Sequence, residues 1–408
     1  MPMDRLIPVL EAHLDELDAA GTAKGAESVV TGVVPAADGR GPRFHLAGEG
    51  DKEFLRMNSN SYLGLGLHPA VIEAEEEGSR RYGAGPGAVR FISGTYDVHV
   101  ELESTLAEFH GRAAAMAFSS AYATVVSTIV PLVTGETVLI SDELNHNCII
   151  NAMRLARPQG KAIYGHNDVG QLREALEAHA GSARRAIVVT DGIFSMRGDH
   201  APLAEIAAVC REFDDRYPEN VVLVVDDSHG VGAFGDTGRG TEEYTGSGPA
   251  DVLVGTLGKA FGVNGGYVTG DASLIRFLRE SSPMYIYSNP ITPGEARAAR
   301  TAVEIVDSAE GRALLAHLRG LTRRFEEGLG RVGIETIPGP HPVVPMMIRD
   351  TGRTHALVRH LYDAGVLVTG LAYPVVPRGD EEIRTQINAD HTEADIDHLL
   401  DILAAWQG

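Results

Sequence analysis

One lysine stands apart in the 408-residue sequence. Lys259 lies in DVLVGTLGKAFGVNGG, where an aliphatic run ends and glycines flank the side chain. A lysine held there away from water loses its proton more readily and can attack a carbonyl. Taken alone, a solvated loop lysine would read the same way. The stretch is not a phosphate-binding P-loop, because Ala260 stands where Ser or Thr is required and Leu253 where the first Gly belongs. A second cluster, VVLVVDDSHGVGAFGDTGRG, brings Asp226, Asp227 and His229 to the end of another aliphatic run. These types suit a metal site, a carboxylate that keeps a heteroaromatic nitrogen protonated, or a surface turn.

Three further stretches carry reactive types. His146 in SDELNHNCII opens a helix after a strand, where an imidazole could stack on a flat ring, act as an acid, or only cap the helix. FSSAYAT, residues 119–124 after Phe118, turns small polar residues into a helix whose free N–H groups attract a phosphate; serine caps do the same with no ligand. Arg384 in GDEEIRTQINADHT is the natural clamp for a planar carboxylate, or one half of a surface ion pair.

The elements that must position these groups alternate. The helical pattern DVHVELESTLAEFHG precedes strand AAMAFS. Helix AYATVVSTIVPLV, strand ETVLIS, helix NCIINAMRLA, strand KAIYG and helix VGQLREALEAH follow. Strand RAIVVTDG, helix PLAEIAAVCREFDDRY and strands NVVLVVDD and DVLVGT complete the run. The continuous aliphatic strands at 186–190 and 221–225 suit burial on both faces, and the alternation predicts an α/β fold with a large wound, mostly parallel sheet. Ligands of such sheets collect beyond the strands' carboxyl ends, where Lys259, Asp226, His146 and residues 119–124 all fall. After Pro293 one long helical stretch (EARAARTAVEIVDSAEGRALLAHLRGLTRRFEEGL) leads into the short strands VVPMMIRD and EIRTQIN and a closing helix, TEADIDHLLDILAAWQ. This reads as a smaller C-terminal α+β domain. The expected units are an N-terminal helix and arm over 1–55, a large domain over 56–292 and a small one over 293–408. Leu6, Val9, Leu10, Leu14 and Leu17 recur at helical spacing, and residues 20–50 read as an extended arm or hairpin.

Composition sets outer bounds. The chain is 44% hydrophobic and 22% charged, a globular balance. Its formal charge of -21 repels nucleic acid and anionic membranes as main partners. Two cysteines, Cys148 and Cys210, each in an apolar stretch, exclude a disulfide framework and fit a reducing cytoplasm. The N-terminus lacks the form of a signal peptide, and no apolar run approaches a membrane span.

The ordered set NSNSYLGL, GAVRFISGT, ELNHNCII, TDGIFSM, VVDDSHGVG, GTLGKAFG, YSNPITP and EIRTQIN resembles the α-oxoamine synthase family over about residues 5–405. Within it, RFISGTYDVHVELE and VTGLAYPVVPRGDEEIRTQINADHT resemble the glycine C-acetyltransferase (2-amino-3-ketobutyrate CoA ligase) branch most. The resemblance implies the aspartate-aminotransferase-like fold (fold-type I) and pyridoxal 5'-phosphate as cofactor. It implies condensation of an amino acid, glycine first, with an acyl thioester on coenzyme A or a carrier protein. The product would be a 2-amino-3-oxo acid or its decarboxylated aminoketone. Carried onto this chain, it makes Lys259 the residue that bears the cofactor as a Schiff base and later moves the α-proton. It puts Asp226 at the ring nitrogen and His146 on the ring face, with His229 and Ser195 near the phenolic oxygen. It puts Ser120, Ala121, Tyr122 and Thr256 at the phosphate. It sends Ser288 and Asn289 to the neighbouring subunit of an obligate homodimer, and it gives Asn60 and Arg384 the substrate carboxylate.

Three departures bear on the thioester rather than the cofactor: GVNGGY after the lysine, Ala121 where the acetyltransferases often have Cys, and a longer GRGPRFHLAGEGDKEF segment. They leave room for an 8-amino-7-oxononanoate synthase-type reaction of alanine with a longer acyl group, or for a retro-aldol enzyme. From another class, a metal-dependent hydrolase would use Asp226, Asp227, His229 and His146. A binding protein that merely kept the fold would not need Lys259.

Overall fold

The computed structural model describes residues 3–20, 23, 25–373 and 375–406; Gln407, at the end of the expected closing helix, lies outside them. The chain opens with helix α1 (Ile7–Ala19), none of whose side chains is buried. The expected arm is an antiparallel hairpin of β1 (Val30–Val34) and β2 (Arg43–Leu46), followed by β3 (Leu55–Arg56). Its root is tied far along the chain: buried Asp395 accepts from the Gly41 N–H at 2.9 Å and pairs with the Arg43 guanidinium.

Helices α2 (Pro69–Tyr82) and α3 (Asp97–Phe109) lead into the main sheet. Its strands are β4 (Ala114–Phe118), β5 (Thr137–Asp142), β6 (Gly160–Tyr164), β7 (Arg185–Asp191), β8 (Val221–Asp226), β9 (Val252–Thr256) and β10 (Gly266–Gly270). They lie in the order β4-β10-β9-β8-β7-β5-β6, and only β10 runs antiparallel to its neighbours. Side-chain alternation sends Val138, Ile140, Val188, Leu223 and Val225 to one core, under α6 (Val169–His179) and α7 (Leu203–Phe213). It sends Leu139, Ile187, Val189, Val224 and Val254 to another, under α4 (Ala121–Leu132) and α5 (Asn147–Leu155). Both faces are therefore dry, as the unbroken aliphatic runs predict. Strand β10 has no counterpart among the sequence expectations.

Short helix α8 (Thr241–Thr245) and helices α9 (Ala272–Ser281) and α10 (Pro283–Ile286) complete this region. The long stretch expected as one helix after Pro293 is two, α11 (Pro293–Val306) and α12 (Ala309–Arg331). Ser308 breaks it by capping α12, its hydroxyl accepting from the Glu310 N–H at 3.1 Å. Helix α11 packs along α2 and α3. The remaining strands β11 (Glu335–Thr336), β12 (Val343–Met347), β14 (Thr369–Leu371) and β15 (Glu382–Gln386) form an antiparallel sheet with α13 (Thr351–Asp363) and α14 (Glu393–Ala405). Strand β13 (Val366–Leu367) pairs in parallel with β3. Below it, Met57 O accepts from the Gln386 N–H at 2.8 Å and Tyr62 O from the Ala389 N–H at 2.7 Å. The segment that carries Asn60 is thus laid across the end of β15. No helix among the described residues is long and apolar enough to cross a membrane.

Candidate active site

The carboxyl ends of β7 and β8 bring two aspartates side by side, because Asp191 and Asp226 are directly paired in the strand register. Both are buried. The Asp191 carboxylate accepts the His146 N–H at 2.9 Å. Burial and the neighbouring Asp226 push Asp191 well above the usual carboxylate range. Asp226 accepts from the Ser228 hydroxyl at 2.5 Å and N–H at 3.1 Å on one oxygen. Among the described residues its other oxygen has only the Cys148 thiol, at 3.6 Å. Asp227 follows the strand's alternation to the opposite side, where both its oxygens are taken by the Thr241 N–H and hydroxyl at 2.6 Å. Burial pushes its carboxyl up to about 7.

Lys259 sits in the β9–β10 connection. The Leu257 N–H bonds Gly265 O (3.0 Å) and the Gly262 N–H bonds Lys259 O (3.0 Å), so the loop doubles back and turns the lysine inward. Two glycines permit this. Gly262 has φ +71°, and a Cβ on it would lie 2.2 Å from Gly66 N; a Cβ on Gly266 would lie 2.4 Å from Ala121 N. Among the described residues the Lys259 ammonium has no hydrogen bond or ion pair. Burial lowers its pKa to about 8, and the Arg384 charge adds to this while Asp226 and Asp191 oppose it.

Helix α4 begins beside Gly266. Ser120 caps it, its hydroxyl accepting from the Ala123 N–H at 3.2 Å, and this leaves the Ala121 and Tyr122 N–H groups without acceptors among the described residues. His146 caps α5, and its Nδ1 lies 2.9 Å from Cys148 Sγ. Burial lowers the pKa of the His146 ring, and Lys259 and Arg384 act in the same direction. Ala121, Tyr122, His146, Ser195, Asp226, His229 and Lys259 line one cavity together with Cys148, Asp191, Ile193 and Ser228. Its volume is about 50 Å3.

The small sheet brings Arg384 near enough to act on the charges of Lys259 and His229. Arg384 donates to Asn60 Oδ1 at 3.1 Å. The Gln386 carboxamide, oriented so that its nitrogen donates to Met57 O, accepts from three Arg384 nitrogens at 3.1–3.2 Å. Tyr62 links this group to the cavity: its hydroxyl lies 2.7 Å from His229 Nδ1 and 3.3 Å from Asn60 Oδ1. His341 Nε2 donates to His229 O at 2.9 Å. Burial, with Lys259 and Arg384 beside it, holds the His229 ring well below the usual histidine range and therefore neutral.

Of the residues singled out from the sequence, seven share the cavity. Ser120 and Thr256 stand at its margin with local bonds, the Thr256 hydroxyl donating to Gly265 O at 3.2 Å. Asn60 and Arg384 are joined to each other. Ser288 and Asn289 are exposed and do not line the cavity of their own chain. Tyr62, Gln386, Cys148, His341 and the pairing of Asp191 with Asp226 were not foreseen. Asp191 was marked solely by its place at the end of strand RAIVVTDG, and Cys148 as a cysteine in an apolar stretch. Asp227 does not join Asp226 and His229, and among the described residues no group of three His, Cys, Asp or Glu side chains is placed to hold a metal.

The profile of the family described as aminotransferase class I and II matches residues 52–403. An 8-amino-7-oxononanoate synthase of Geobacter metallireducens is 40% identical over 356 residues, covering 87% of this chain and 89% of that protein. A mitochondrial 2-amino-3-ketobutyrate coenzyme A ligase of Bos taurus is 35% identical over 395 residues, covering 96% and 90%. Among solved structures, serine palmitoyltransferase of Sphingomonas wittichii superposes with a TM-score of 0.86 at 27% identity, covering 99% and 96%. A serine palmitoyltransferase from S. paucimobilis with bound PLP gives 0.86 at 26%, covering 99% and 97%.

Proposed function

The chain belongs to the class I and II aminotransferase family and, within it, to the α-oxoamine synthases, and from that membership we propose that it joins glycine to acetyl-CoA or a related acyl thioester. The product is a 2-amino-3-oxo acid, or the aminoketone left when that acid loses carbon dioxide. The protein is a pyridoxal phosphate-dependent acyltransferase. The residues present fit that cofactor: among the described residues there are a buried amine without a partner, a carboxylate oxygen bonded only to a thiol, and two free N–H groups at a helix start. Lys259 would hold it through the ε-amine and Asp226 at the ring nitrogen. His146 would lie on the ring face, with Ser195 and His229 near the phenolic oxygen. Ser120, Ala121, Tyr122 and Thr256 would hold the phosphate.

When bound, the cofactor supplies an electron sink for the charge left when a proton leaves the amino acid's α-carbon. Arg384, braced by Gln386 and Asn60, binds the substrate carboxylate as a planar pair. Lys259, with a pKa of about 8, is neutral often enough to take the α-proton. It holds that proton while the α-carbon bonds the thioester carbonyl and the thiol leaves. Tyr62 bonds the neutral ring of His229, and His341 holds its backbone carbonyl.

The observation that carries this reading is a buried amine, without a partner among the described residues, that feels the charges of Asp226, Asp191 and Arg384. Mass spectrometry of products from glycine, alanine and serine with acetyl-CoA tests it; no new ketone from glycine refutes it. A second reading, alanine with a longer or carrier-bound acyl group, is favoured by the relation to 8-amino-7-oxononanoate synthases and by a larger pocket beside the cavity. The same assay with longer thioesters decides between the two.

A shared-site homodimer is part of the proposal. Tyr287 is 78% exposed beside Ser288 and Asn289, and the adjoining Phe91 and Ile92 are 66% and 57% exposed. Such an apolar patch next to unpartnered polar groups suits a second copy. Two buried free cysteines suit a reducing cytoplasm.

A further inference from the structure

Beside the cofactor cavity, and sharing Ser195 with it, lies a pocket of about 330 Å3. Part of its wall is apolar, with Phe194, Met196, Met347 and Val376. The rest is charged and uneven. Glu143, Asp380 and Glu382 line it against one cation, Arg197, which is itself bonded to Asp199 at 3.0 Å. Glu382 is 3% exposed, one of its oxygens is fully enclosed without a partner, and its carboxylate makes no hydrogen bond or ion pair among the described residues. A buried carboxylate left in this state costs the fold stability unless something else satisfies it. Burial pushes its carboxyl up to about 7, with Arg384 and Arg197 drawing it back. Strand β15 places it two residues from Arg384, so both side chains leave one face of the sheet, roughly 7 Å apart. A ligand whose carboxylate sits on Arg384 therefore has its newly bonded neighbour close to Glu382.

Resting on the acyl-transfer reading above, we propose that this pocket receives the acyl thioester and that Glu382 sets its selectivity. It accepts from an N–H donor that the thioester brings, on the acyl chain or on the arm behind the sulfur, and it rejects acyl chains that end in a carboxylate. The surplus of carboxylates around the pocket acts in the same sense.

The test uses the holoenzyme at pH 8, where Glu382 is mainly ionised, with glycine and with alanine. Hexanoyl-, 6-aminohexanoyl- and adipoyl-CoA and the hexanoyl thioester of N-acetylcysteamine are compared by kcat/KM in the wild type and in Glu382→Gln and Glu382→Asp. Only ratios within one variant are read, so a general loss of fold or activity cancels. The expected result is an adipoyl/hexanoyl ratio that rises about tenfold in Glu382→Gln. With it, either the aminohexanoyl preference or the preference for the CoA arm over the truncated arm falls by a similar factor, and Glu382→Asp partly restores the pattern. Which preference falls names the donor's place. Ratios unchanged in Glu382→Gln overturn the role of Glu382 while leaving acyl transfer standing. Wild-type protein that turns over no thioester with either amino acid overturns both readings.

Discussion

The reactivity of Lys259 can be measured without any cofactor. Its pKa of about 8 arises from burial, reinforced by Arg384 and opposed by Asp226 and Asp191. An ordinary lysine titrates near 10.4, so at pH 7.5 roughly one quarter of Lys259 is the free amine against roughly one in a thousand elsewhere. Cyanate carbamoylates only free amines and is small enough for a narrow cavity. Protein stripped of cofactor is exposed to it briefly over pH 6.5–10.5, and peptide mass spectrometry gives the labelling of Lys259 relative to the lysine of an added unstructured peptide. Below pH 8 both free-amine fractions rise together, so the ratio is flat. Above pH 8 Lys259 is saturated, and the ratio should fall about tenfold per pH unit toward 10. Asp226→Asn removes an opposing charge and should move the break downward; Arg384→Gln should move it upward. A ratio that stays level to pH 10 would refute the desolvation argument, and with it the use of Lys259 as a base near neutrality. The charged form costs the apoprotein on the order of 3 kcal/mol below pH 8, a penalty that fades as pH rises toward 10.5. Lys259→Met should therefore raise the apoprotein's Tm at pH 7 and lose that advantage at pH 10.5.

Other perturbations have equally definite outcomes. Arg384→Gln removes a two-pronged carboxylate partner and should raise the amino-acid KM about tenfold or more, with a smaller effect on kcat in steady-state assays. Gly266→Ala forces a Cβ to within 2.4 Å of Ala121 N and should lower unfolding free energy by on the order of 2–4 kcal/mol in denaturant titrations. For His166, burial acts to lower the pKa, but bonds from Asp142 (3.3 Å) and Asp199 (3.0 Å) outweigh it and raise the value to about 9. A raised histidine pKa stabilises fully below about 6.5 and loses that contribution as pH climbs through 9. The difference in unfolding free energy between wild type and His166→Gln, measured in denaturant titrations, should accordingly shrink from pH 6.5 to 9.5 by on the order of 2 kcal/mol after allowance for solvent screening.

What could be read in advance followed from local signals. Aliphatic runs marked β5, β7, β8 and β9, and strand ends marked where Lys259, Asp226 and His146 would gather. Strand β10 escaped because GYVTG is short, begins and ends in glycine, and becomes a strand only through pairing with β4 and β9. Asp226 and Asp227 looked alike as neighbours, yet alternation gives one to the cavity and the other to Thr241. Arg384 was recognisable by type, but its braces were not. Asn60 lies 324 positions earlier, and Gln386 acts through its amide orientation. Residue types announce chemistry, whereas supporting bonds between distant segments leave no local pattern.

The crossing of residues 55–62 over β13 and β15 has a consequence for how the enzyme comes into being. Leu55 and Arg56 pair with Val366 and Leu367, and Tyr62 receives its bond from Ala389. During synthesis the lysine and aspartates of the central sheet are available once about two thirds of the chain has emerged. The proposed grip on the amino acid needs residues from the first sixth and the last tenth of this sequence at once. Contacts that close so long a loop form late. A chain lacking β15 would thus keep the lysine and aspartates of the central sheet but lose the proposed carboxylate clamp.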